Sequence, residues 1–169
     1  ILYSILNRQE GVWCERVFAP WDDMREVMKR ENIPLYALES GDPIRDFDLV
    51  GFTLQYEMSY TTILDMLDLA GIPLRSDERD ERYPIICAGG PCAVNAEPIA
   101  DFFDLISIGD GEISIVEIVE LYRACQKQGL SKAEFLHQAA KIPGVYAPAL
   151  YDVSYQADVV PPEGGGVAV

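Results

Sequence analysis

The sequence predicts an α/β fold of the Rossmann-like or flavodoxin-like kind, a mostly parallel sheet with helices on both faces. Three observations carry this expectation. Short apolar runs alternate with helical patterns along the chain. Two of these runs, Ile85 to Ala88 and Leu105 to Ile108, end in glycines and then give way to helical patterns. The 169 residues, 49% hydrophobic and 24% charged, have the size and balance of one soluble domain.

The elements follow in order. Ile1, Leu2, Ile5 and Leu6 fit the last turns of a helix that starts upstream. The chain opens on Ile within an apolar pattern, so it reads as a fragment whose first strand, central in such folds, is missing. Gly11 ends the helix, and Val12 to Ala19 alternates as a strand. Asp22 or Asp23 caps a second helix, with Met24, Val27 and Met28 on one face and a stop near Asn32, before Pro34. Leu35 to Leu38 is a short extended piece, and Ser40 to Pro43 a turn. Asp48 to Tyr56 reads as a buried strand and a loop. Thr61 and Thr62 cap a helix carrying Ile63, Leu64, Leu67 and Ala70, stopped by Gly71 and Pro73. Arg75 to Arg82 mixes charges as a solvated surface loop.

After the two glycine-ended runs, Glu97 to Phe103 and Glu112 to Gln128 are predicted helices. The second has Ile115, Val119 and Tyr122 on one face, with Val116 and Ile118 beside it. Ser131 to Glu134 is a capping box opening a helix to near Lys141, ended by Pro143-Gly144. Val145 to Gln156 is an irregular edge strand. Residues 1–156 thus form the α/β domain, and 157–169, rich in Pro and Gly, a linker or disordered tail.

Charge and composition exclude several functions. The net charge is -15, from 28 acidic and 13 basic side chains, which repels phosphate backbones and argues against autonomous nucleic-acid binding. No apolar run approaches the roughly 20 residues of a membrane span, and no secretory signal is visible, so a reducing cytoplasm is expected. Cys14, Cys87, Cys92 and Cys125 match neither a zinc knuckle nor a CxxC pair. Cys87 and Cys92 straddle a glycine turn, as buried thiols or as ligands. There is no GxGxxG, GxxxxGK[ST] or GxSxG motif. The one histidine, His137, lies in a late helix and supports neither a triad nor a metal site.

What remains is a set of strand ends. Ligands bind parallel α/β sheets in the crevice outside the carboxyl ends of the strands. Thr53 and Gln55 follow one strand, Gly89, Gly90 and Pro91 the next, and Gly109, Asp110, Gly111 and Glu112 the third. Glycine permits close backbone approach there. Glu112, at a helix start, either accepts hydrogen bonds from a ligand or, with Asp110, caps the helix. Small and hydrogen-bonding groups on one rim suit a large, uncharged, amide-rich ligand better than a phosphate.

Phe47 to Glu57, Cys87 to Pro98 and Ile108 to Glu112, with the opening Glu15 to Trp21, resemble the N-terminal cobalamin-binding-like domain of radical SAM proteins. The resemblance covers residues 1 to 155 and implies an α/β domain holding the cobalamin nucleotide tail along the carboxyl edge. By match, Thr53, Gly89, Gly90 and Gly109 to Glu112 line that tail. It also implies a downstream barrel domain, as partner, carrying CxxxCxxC, a 4Fe-4S cluster and S-adenosylmethionine. No cysteine pair here has that spacing. The DxHxxG cobalt-ligating motif is absent as well, so these residues form no histidine-ligated cobalamin. Two readings stay open: a cobalamin-holding domain without turnover of its own, or a non-binding scaffold packed on the barrel.

Overall fold

The computed structural model describes residues 1–152. Its sheet runs in the order β1 (Leu49–Thr53), β2 (Ile85–Gly89), β3 (Leu105–Ser107) and β4 (Val145–Tyr146). The first three strands are parallel and β4 pairs antiparallel with β3, which bears out the expected class. The helices are α1 (Leu2–Leu6), α2 (Asp22–Glu31), α3 (Tyr60–Leu69), α4 (Gly111–Gln128) and α5 (Lys132–Ala139).

Alternation along the strands builds two cores. Val50, Phe52, Ile86, Ala88 and Ile106 face one side, with Met28 of α2 and Ile63 and Leu67 of α3. Ile85, Cys87 and Leu105 face the other, with Ile118 of α4 and Phe135 of α5. A strand with both faces covered reads as a continuous apolar run, which is why Ile85 to Ala88 is unbroken. Each fully buried aliphatic or aromatic side chain contributes about 1.5–3 kcal/mol.

Several sequence expectations are corrected. Val12 to Ala19 joins no strand among the described residues. Trp21, not an aspartate, takes the N-cap position of α2, and the Met24 amide donates to Asp23 at 2.8 Å. Met24 and Val27 are exposed, and only Met28 is buried. Thr61 and Thr62 lie inside α3, because a 3-10 turn at Glu57–Ser59 leads straight into a helix start at Tyr60. Glu97–Phe102, where an α-helix was expected, is a 3-10 helix with Pro98, which lacks an amide hydrogen, in its first turn, and a further 3-10 turn at Pro91–Asn95 precedes it. The Ser131–Glu134 capping box forms as predicted. Residues 153–169, including the predicted tail, lie outside the described residues.

The largest correction concerns the charged loop. Arg79 is only 5% exposed and Asp104 only 1%. Asp104, at the amino end of β3, accepts from the Ile86 amide at 2.7 Å and from Arg79 Nη2 at 3.2 Å. Lys132 Nζ lies 2.8 Å from its other oxygen. Arg79 also donates to the carbonyls of Pro73, Leu74 and Phe102. This cluster closes the amino edge of the sheet, opposite the predicted site.

Near β4, the Tyr146 hydroxyl donates to Glu97 at 2.8 Å. Burial and then the Glu97 carboxylate push the Tyr146 phenol up to about 12. The folded protein therefore holds this proton more tightly than the unfolded chain. Its stabilising contribution is complete below the ordinary tyrosine pKa of about 10 and is lost as pH rises through about 12. Alkaline titration of phenolate absorbance should show a late-titrating tyrosine that Tyr146→Phe removes.

Candidate functional site

The carboxyl ends of β1 and β2 are level, Thr53 beside Gly89, so the loops after them open on one rim with the β3–α4 turn. From this rim a groove of about 1040 Å³ runs down the α4 side of the sheet. Its walls are β1, α4, α1 and the segment 11–17. Thr53, Gly89, Gly90, Gly109, Gly111 and Glu112 line it, whereas Gln55, Pro91 and Asp110 stand exposed outside it.

The glycines serve different purposes. Gly90 has φ 105°, and a Cβ there would lie 3.1–3.2 Å from the Leu54 backbone and the Thr53 methyl. Its bareness lets the turn lie against β1, where the Cys92 amide donates to the Leu54 carbonyl at 3.0 Å. Gly109, at φ 112°, meets nothing within 4 Å, and neither would a Cβ on Gly51 in mid-strand. Gly51 is a groove-lining residue that sequence reading missed. The signal was a glycine inside an otherwise apolar strand, which marks close approach by something else.

The start of α4 decides one open question. Asp110 occupies the N-cap position, yet its side chain makes no capping hydrogen bond. The first-turn amides of α4 thus keep their donors at the rim, in the positive end of the helix dipole. Beneath them the Ser107 and Ser114 hydroxyls lie 2.7 Å apart, and Ser114 also donates to the Asp110 carbonyl at 3.4 Å. Both serines line the groove and were not singled out from sequence; Ser114 shows only as a polar residue on the buried line of α4, with Ile118 and Cys125. Ile115, Val119 and Tyr122, predicted to be the packed face, are half-buried because they overhang the groove.

The thiols do not make a ligand set. Cys87 and Cys125 are buried, and Cys14 and Cys92 half-buried, all unpaired. Burial pushes the Cys87 thiol well up, with nearby Asp104 adding to it. Burial, followed by Glu57, raises Cys92 too. Protonated thiols are poor metal ligands. His137 is exposed on α5, and no group of three or more His, Cys, Asp or Glu placed to hold a metal exists among the described residues. No helix there is long and apolar enough to cross a membrane.

A parallel sheet covered on both faces, with glycines, hydroxyls and uncapped amides at its carboxyl edge, defines a Rossmann-like α/β domain open along one rim. The chain belongs to the family described as radical SAM proteins, N-terminal, whose model matches residues 1–148. It is 33% identical over 100 residues to an uncharacterised protein of Methanocaldococcus jannaschii, covering 59% of this chain. The match spans about a fifth (21%) of that relative's length. No solved structure matches.

Proposed function

We propose that this chain is the cofactor-holding N-terminal domain of a radical SAM enzyme, and that its groove takes the nucleotide tail of cobalamin. The observation that carries this reading is the groove itself, which is deep, bare at Gly51 and Gly109, and headed by amides that no side chain caps. Such a lining fits the tail: the α4 amides and the Ser107–Ser114 hydroxyls supply hydrogen bonds, and Ile115 and Val119 supply apolar cover. Thr53, Gly89 and Glu112 complete the mouth. Gly90 shapes the turn rather than offering space.

Bound cobalamin would supply methyl-carrier or electron-transfer chemistry to the parent enzyme. The residues here bind, orient and shield it; none is placed to ligate cobalt. The 4Fe-4S cluster and S-adenosylmethionine belong to the parent's barrel domain, which is the partner of this one.

The test is to mix the full-length protein with hydroxocobalamin, desalt it and follow the visible spectrum. Corrinoid should be retained. Gly51→Leu keeps an ordinary strand backbone while filling the groove. It should weaken retention at least tenfold, about 1.4 kcal/mol, with a stability change within about 0.5 kcal/mol. No retention by the unaltered protein would leave the second reading, a scaffold packed on the barrel. That reading is favoured by one feature: Tyr56, Met58, Val94, Ile108 and Ile113 all expose large apolar side chains on this same edge.

A further inference from the structure

We infer that Arg123, part-way down the groove on α4, is the contact for a phosphate group of the ligand, with Lys127 one turn below it. The source of that phosphate rests on the reading above: the nucleotide tail of cobalamin carries one phosphodiester, between the corrin side chain and the ribose. The rim bears no part of this contact. Thr53, Gly89, Gly109 and Glu112 offer no cation there, so an anion is recognised deeper in the groove.

Charge singles out the residue. With a net charge of -15, carboxylates outnumber cations more than twofold, and a cation left without one is unusual. Arg16, the other arginine of the groove, is held by Glu39 at 2.7 Å. Arg25, Arg75, Arg79 and Arg82 are paired as well. Arg123 and Lys127 both line the groove, and among the described residues neither side chain has an ion pair or a hydrogen bond. The carboxylates of the groove are turned elsewhere: Glu15 accepts from Ser40, and Asp48 from Tyr122 and Gln126.

Packing then aims the guanidinium. Glu120 is one helical turn away, the spacing of an ordinary surface pair, yet it stands exposed and unpaired among the described residues. Arg123 is half-buried and lies across Gly11 instead, where a Cβ would come within 2.8 Å of Nη2. A guanidinium has five N–H donors and no acceptor, so only an anion or another acceptor can answer it in that seat. At about 1.5 Å per residue, Arg123 is roughly 18 Å down α4 from Gly111. Helical side chains lean toward the N-terminus, here back toward the rim. Glu112 at the rim and Asp48 at the amino end of β1 bracket it with negative charge, so an anion in the groove has one favoured position.

Equilibrium dialysis on the full-length protein tests this with three probes. Hydroxocobalamin has the whole tail. Cobinamide keeps the corrin ring and lacks the phosphodiester, and adenosine monophosphate has a phosphate and no ring. Arg123→Gln keeps a good helix former. It should weaken hydroxocobalamin at least about tenfold and cobinamide less than about twofold, since a charge-assisted contact is lost for one ligand alone. The difference between the two proteins should narrow as salt rises. Lys141→Gln, which removes an exposed cation outside the groove, should move neither ligand by more than about twofold. Adenosine monophosphate binding that Arg123→Gln weakens, with neither corrinoid bound, would uphold the phosphate contact and sink the corrinoid reading alone. An equal loss for cobinamide and hydroxocobalamin, binding of all three probes that ignores Arg123, or no binding of any probe would overturn the proposal.

Discussion

Asp104→Ala should cost about 3–5 kcal/mol of stability, the penalty for stripping one partner from a buried ion pair. The Arg79 side chain is wholly buried, and burial already pushes its guanidinium pKa down while Asp104 opposes that shift. Without the carboxylate, Arg79 and Lys132 become neighbouring cations with nothing between them, and the Ile86 amide loses its acceptor. Urea unfolding measures the loss directly, and a melting scan should fall by about 10 °C at the 2–4 °C per kcal/mol usual for this size. Replacing Asp104, Arg79 and Lys132 together by Leu, Met and Met should cost much less than Asp104→Ala alone, because no buried charge is then left unpaired. A triple variant no more stable than the single one would show that the cluster acts through packing instead of charge.

That cluster also marks where sequence reading stops. Arg75 to Arg82 has the composition of a solvated loop, and seven of its eight side chains carry charge while the eighth, Ser76, carries a hydroxyl; burial of one arginine depends on an aspartate 25 residues away. No local pattern contains that pairing. The parallel sheet was legible because β2 and β3 lie in compact apolar runs that end in glycine, Ile85 to Ala88 and Leu105 to Ile108. The rim was legible for the same reason. The groove was not, since its floor is Gly51 and its wall is a helix face, both set by how α4 lies over the sheet. Val12 to Ala19 alternates as a strand should, yet pairing, which makes a strand, depends on a neighbour the pattern cannot supply. Asp110 and Glu112 show the reverse case: the helix start was placed within a residue, while the capping role could be decided only from the side chain's geometry.

Gly144→Ala should be the other severe substitution, and it links stability to the rim. Gly144 sits at φ 79°, and a Cβ there would lie 2.6 Å from the Ile108 carbonyl oxygen, a backbone atom. The Ile108 amide donates to the Gly144 carbonyl at 2.7 Å, so the two residues tie β4 to the turn that launches α4. A left-handed alanine costs about 1–3 kcal/mol and forced overpacking a similar amount. The sum, about 2–6 kcal/mol, should appear as a lower urea midpoint together with faster exchange of the Ile108 amide. Gly41→Ala separates the two contributions: Gly41 has φ 81° but open space around its Cβ position, so only the backbone cost applies. If both alanine variants lose the same stability, the Ile108 contact does not restrain the turn. If Gly144→Ala loses more, and the full-length variant also retains less corrinoid than the Gly41→Ala protein, then β4 holds the amide donors of α4 in place from the far side of the rim.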